Sequence, residues 1–189
     1  VYKRQTQDYV IKIYSIGGDI MKDKKILWAE MKWPEIRAIA RKSPIVILPV
    51  GSIEQHGPHL PLSTDIDIAL EISKRVAMKV SEEMDVVIAP PIYFGCSKHH
   101  MDFPGTITLE EDTFIRMVVE ICKSIIHHGF NKIFILNGHG GNSVALRVAL
   151  SKIRSETNAF VVAADYWILA KDELSEIRES EYRGMNHDP

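Results

Sequence analysis

The sequence predicts an α/β protein: a three-layer α/β/α sandwich around a mostly parallel central sheet. Two observations predict it. Apolar runs of strand length alternate with longer segments of helical period, the order expected of a parallel sheet between helices. The runs are also apolar throughout rather than alternating, as in strands covered on both faces. No apolar run approaches the ~18 residues of a membrane span.

Each element follows in chain order. Ile45-Val-Ile-Leu-Pro-Val50 is a first strand. Residues 67–80 form a helix with Ile68, Ile72, Val76 and Val80 around an apolar face. Residues 86–90 are a second strand. Residues 109–128 form a long helix, in which Phe114, Met117, Val118, Ile121, Ile125 and Ile126 repeat near a period of 3.6 and Gly129 marks the end. Residues 133–137 are a third strand, 143–155 a helix, 160–164 a fourth strand and 169–180 a final helix. There are no internal repeats, low-complexity tracts or linkers. In open parallel sheets ligands bind beyond the carboxyl ends of the strands, so the places to search follow Val50, Pro90, Leu136 and Ala164.

The chain has 189 residues, 46% hydrophobic and 25% charged, the balance of one globular domain. Its 23 Lys and Arg against 25 Asp and Glu leave a net charge of −2. That offers no electrostatic footprint for nucleic acid or an anionic membrane, so neither is expected as a partner. Cys96 and Cys122 are the two cysteines, without a CxxC spacing, which suits a reducing, cytoplasmic compartment. Residues 1–20 carry Lys3, Arg4 and Lys12 but lack the compact apolar segment of a signal peptide. Met21-Lys-Asp-Lys-Lys reads as a chain start. Residues 1–20 are therefore expected to be an N-terminal extension and the domain to begin at 21. The alternative is a genuine strand over 9–14.

Two loops carry the chemistry. After Val50 come Gly51-Ser-Ile-Glu54-Gln-His56-Gly-Pro-His59-Leu-Pro-Leu-Ser-Thr-Asp65. Carboxylate and imidazole together suit Zn²⁺, Mn²⁺ or a similar ion. Glu54 and His56, two apart, point the same way in an extended segment. Asp65 stands at the start of a helix, where it reads as a ligand, an N-cap or both. After the third strand come Asn137-Gly138-His139-Gly140-Gly141-Asn142. Alone, this turn also fits phosphate binding at a helix N-terminus. It lacks the Lys-Ser/Thr of a P-loop. Beside the Glu-x-His loop on one sheet edge, a metal site is the preferred reading.

Three segments together resemble the creatininase (creatinine amidohydrolase) family: Pro49 through Asp65, Phe103-Pro-Gly-Thr106, and Asn137 through Asn142. The resemblance implies hydrolysis of a carbon–nitrogen bond, in an amide that is often cyclic, by water activated between two divalent metals, Zn or Mn, with Fe a further option. It implies that Glu54 and His139 hold one metal, His56 holds the other and Asp65 bridges them. It places His100, Trp167, Gly140 and Gly141 around the substrate. His99 is expected to be a solvated loop residue, and His59 to support the ligands or pack in its loop. In creatininase itself a tyrosine and a metal-binding glutamate stand where this chain has Gly140 and Gly141, which argues against creatinine as substrate. Relatives with Asn-Gly-His-Gly-Gly-Asn take a glutamate from a later segment that also carries the proton-transfer histidine. That segment is expected beyond Pro189, so the domain over 21–189 is expected to lack its C-terminal part and its acid–base residue. The alternative is a catalytically incomplete binding or assembly member of the same fold. The resemblance further implies a homo-oligomer, a hexamer.

Overall fold

The computed structural model describes residues 25–177. The expected extension over 1–20 and the end of the final helix lie outside the described residues. Four strands form one parallel sheet: β1 (Ile45–Val50), β2 (Val86–Ile88), β3 (Lys132–Asn137) and β4 (Phe160–Asp165), in the order β2-β1-β3-β4. The register sets Val50 beside Asn137, and Asn137 beside Asp165, so three carboxyl ends share one row.

The main helices are α1 (Trp33–Ala40), α2 (Thr64–Lys79), α3 (Glu111–His127) and α4 (Ser143–Glu156), followed by the short α5 (Tyr166–Leu169) and α6 (Lys171–Ile177). Right-handed crossovers assign their layers. The chain moves one way from β1 to β2, so α2 covers one face. It moves the other way from β2 to β3 and on to β4, so α3 and α4 share the opposite face. The side chains agree. Val46, Leu48 and Val50 of β1 pack with Phe114, Val118 and Cys122 of α3 and Ala145, Leu146 and Ala149 of α4. Ile47, between them in the chain, packs on the other face with Ala77 of α2, Val86, Ile88 and Leu136. This two-sided burial is why β1 is apolar along its whole length.

The expected strands and the two long helices are present. The differences lie at the ends. α2 starts at Thr64 rather than 67: the Ser63 hydroxyl bonds the Asp67 carboxylate at 2.6 Å and the Thr64 hydroxyl reaches the Pro61 carbonyl at 2.6 Å. Asp65 is thus inside the first helical turn, and Ser63 takes the cap position. The final helix starts at Tyr166 and breaks at Ala170. α1 was not expected from the pattern. It is eight residues long, enters through Pro34 and buries no residue fully, and its core-facing Ile36, Ile39 and Ala40 span too few turns to stand out as a pattern. The Lys32 N–H bonded to Glu35 at 2.6 Å starts it.

β1 and β3 are neighbours whose following helices leave to opposite faces. The gap between their carboxyl ends is the switch point of the sheet, where open α/β folds place ligands. Here α2 comes unusually close. A Cβ on Gly51 would lie 2.6 Å from the backbone of Ile66, and one on Gly138 would collide with the carbonyl oxygen of Asp65. The Gly138 N–H in turn donates to the Val50 carbonyl at 2.7 Å. Gly138→Ala is expected to destabilise the protein by about 1–3 kcal/mol, as overpacking a tight contact does. Urea unfolding checks it, and an unchanged midpoint would mean that α2 does not press on the strand ends.

Candidate metal centre

Glu54, His56, Asp65 and His139 meet at this switch point and are buried, with 0%, 1%, 6% and 4% of their surface exposed. Glu54 and His56 come from the extended loop after β1, Asp65 from the first turn of α2, and His139 from the turn after β3. Asp65 stands between the histidines. Its Oδ1 is 2.9 Å from His56 Nε2, and its Oδ2 is 3.0 Å from His139 Nδ1. Glu54 Oε1 is 3.2 Å from the same His139 Nδ1. Donor atoms of Glu54, His56 and Asp65 all lie within 4.8 Å of one another.

Each histidine is aimed from behind by a backbone carbonyl. His56 Nδ1 lies 3.2 Å from the carbonyl oxygen of Glu54, and His139 Nε2 lies 3.1 Å from that of Cys96. A carbonyl can only accept, so these nitrogens carry hydrogens. That turns His56 Nε2 and His139 Nδ1 toward the carboxylates, the arrangement of metal-binding histidines.

The electrostatics of the cluster call for a cation. Burial alone would raise the Glu54 and Asp65 carboxyls, but His139 outweighs it for Glu54, and His139 with His56 does so for Asp65; both stay below their ordinary values. Burial would likewise lower the histidines. Asp65 overrides it at His56, and Asp65 with Glu54 holds His139 up at about 10. Asp65 Oδ2 is buried and makes no well-aligned hydrogen bond among the described residues, although His139 Nδ1 is close. Two buried carboxylates, two imidazoles aimed at them and an under-used carboxylate oxygen fit a borderline divalent cation. They disfavour an anion, and so weaken the phosphate reading of the glycine-rich turn.

The surrounding loops are tied by side chains that the sequence pattern did not single out. Asn142 accepts the Cys96 N–H at 2.9 Å and donates to the Gly51 carbonyl at 3.0 Å, joining the loops after β1, β2 and β3. Asn137 accepts the His139 N–H at 3.2 Å and donates to its carbonyl at 2.7 Å. Asp165 occupies the cap position of α5 without a side-chain cap bond. It accepts instead from Asn137 at 2.7 Å and from Ser143. Both asparagines flank the glycine-rich turn, and that position was the available signal.

Of the residues expected around a substrate, His100 is beside the cluster, with Nε2 3.7 Å from Glu54 Oε1. Gly141 borders a cavity of about 500 Å³ shared with Cys96, Lys98, His99 and Leu109. Any side chain at 141 would collide with the Cys96 carbonyl and His139, which is why a glutamate has no room there. Gly140 opens the short 3₁₀ turn Gly140–Asn142 that leads into α4. Trp167 lies two residues past β4, its ring edge-on to Tyr166 at 5.1 Å. His59 is exposed. His99 is exposed too, yet its ring stacks over His139 at 5.9 Å, and with Glu54 and His100 it forms a second group of potential ligands.

The sequence model of the creatininase family, described as creatinine amidohydrolase, matches residues 29–187. A mycofactocin precursor peptide peptidase of Mycolicibacterium smegmatis is 41% identical over 115 residues, covering 60% of this chain and 46% of the relative. The chain thus spans about half the length of the curated relatives it matches. Among solved structures, a creatininase variant of Zn-Zn type superposes with a TM-score of 0.73 at 28% identity, over 87% of this chain and 67% of that one. A manganese creatininase gives 0.73 at 27%, over 86% and 67%.

Asn142→Ala is expected to cost about 1–3 kcal/mol, because it strands the buried Cys96 N–H and Gly51 carbonyl. Thermal and urea unfolding measure it; a loss below about 0.5 kcal/mol, usual for a surface change, would show that Asn142 does not tie the loops.

Proposed function

The chain belongs to the creatininase family, and we propose that its buried cluster is the metal centre of a hydrolase that cleaves a carbon–nitrogen bond of an amide. The observation that carries this is Asp65. Its two oxygens face one histidine each, from opposite sides of the switch point. That supports a bridging role for Asp65, with Glu54 and His139 holding one divalent ion and His56 the other. Zinc and manganese are the candidates. Bound there, the metals supply Lewis acidity toward water and the scissile carbonyl.

The chain's own residues prepare the site. The carbonyls of Glu54 and Cys96 hold the two imidazoles in ligating orientation before any metal arrives, so little reorganisation accompanies binding. Asn142 keeps the three loops in register. Burial behind α2 keeps bulk water from the carboxylates. Gly141, having no side chain, leaves open the cavity that it shares with Cys96 and His99. The likeness to a peptide peptidase and the glycines where creatininase has tyrosine and glutamate favour a peptide-type amide over creatinine. Self-association and a cytoplasmic location belong to the same proposal. No helix among the described residues is long and apolar enough to cross a membrane.

Metal analysis after loading and desalting tests the proposal. The protein is expected to retain about one equivalent or more of zinc or manganese. Asp65→Asn is expected to weaken retention by more than the roughly 10–100-fold that loss of an outer-shell partner costs. A short-peptide panel should show turnover that chelation removes and zinc or manganese restores. Metal content below about half an equivalent, or turnover indifferent to both chelation and Asp65→Asn, would contradict it.

A further inference from the structure

The residue between the two ligands Glu54 and His56 has a separate task. Gln55 Oε1 accepts the backbone N–H of Gly57 at 2.9 Å. A backbone N–H can only donate, so the amide oxygen must face Gly57 and the amide nitrogen must face the other way. That nitrogen lies 3.1 Å from His100 Nδ1. An amide nitrogen can only donate, so His100 Nδ1 accepts. A neutral imidazole that accepts at Nδ1 carries its hydrogen on Nε2, and His100 Nε2 is on the side of Glu54, 3.7 Å from Oε1.

His100 is also held by its backbone. Its N–H donates to the Ser97 carbonyl at 2.9 Å, and its carbonyl accepts from the Thr106 hydroxyl at 2.9 Å and the Phe103 N–H at 3.1 Å. The Phe103-Pro-Gly-Thr106 segment therefore clamps the residue whose ring Gln55 orients. The ring is largely enclosed, with 15% of the side chain exposed. A donor fixed in this way costs no reorganisation when an acceptor oxygen arrives.

We infer that Gln55 is a positioning residue that locks His100 as an Nε2–H donor, which hydrogen-bonds the oxygen of an amide substrate held beside the metal ligands. The inference rests on the hydrolase reading for its substrate, but the tautomer stands on the geometry alone. It also assigns His100 a role different from metal ligation, the other chemistry open to the Glu54, His99 and His100 group.

Long-range ¹H–¹⁵N correlation of the histidine rings tests this in the metal-free and the zinc-loaded protein. His100 is expected to show a bare, pyridine-type Nδ1 and a protonated, pyrrole-type Nε2 in both states. N-acetylglycinamide, used as a simple amide probe, should then shift the Nε2 resonance of His100 while leaving the exposed His59 unmoved. Gln55→Leu should abolish the single tautomer. A hydrogen on Nδ1, coordination of Nε2 on zinc loading, or a silent His100 when other site resonances respond to the probe would each overturn the assignment. Failure to bind zinc with the tautomer intact would count against the hydrolase reading instead.

Discussion

Everything at the site depends on how closely the first turn of α2 approaches the ends of β1 and β3. Two residues without side chains, Gly51 and Gly138, meet the backbone of Asp65 and Ile66 there. That contact delivers Asp65 into the gap between strands whose connections diverge. Without it, Glu54 would still face His139, but no carboxylate would link His56 to His139. With it, one carboxylate touches an imidazole from each side. Its place in the first helical turn also puts its negative charge where the helix dipole favours it.

Burying two carboxylates is costly, and a pair of them more so, unless opposite charge is close at hand. Here the imidazoles supply it, and their protons stand where a divalent cation would bring more charge. The shell behind them is mostly backbone carbonyl and asparagine amide, groups that stay neutral and keep direction. The site is therefore rigid in its supports, and the imidazole protons at its centre stand where a cation would take over the compensation, the combination expected of a preorganised metal site.

Much of this was legible in the sequence because two strong signals coincide. Strands buried on both faces write themselves as apolar runs, and Val46 to Val50 could be read without knowing their partners. The Glu54-x-His56 loop and the glycine-rich turn around His139 follow such runs directly, so the sheet rule brought them to one edge. The structure decided what spacing could not: that Asp65 is inside α2 rather than capping it, and that Asp165 serves Asn137 and Ser143. α1 escaped because eight residues give barely two turns over which a helical period can be read. Asn142 and Gln55 escaped for a different reason. Their meaning is in which backbone groups they reach, 46 residues away for Asn142 to Cys96 and 45 for Gln55 to His100, and no local pattern records that.

The central claim is that Asp65 joins two metal positions, one on the His56 side and one on the His139 side. Anomalous diffraction from crystals grown with zinc measures it directly. Two peaks flanking the Asp65 carboxylate, one contacting His56 Nε2 and the other contacting His139 Nδ1 and Glu54, are predicted. Peaks that avoid Asp65, or metal bound by Glu54, His99 and His100 instead, would contradict it.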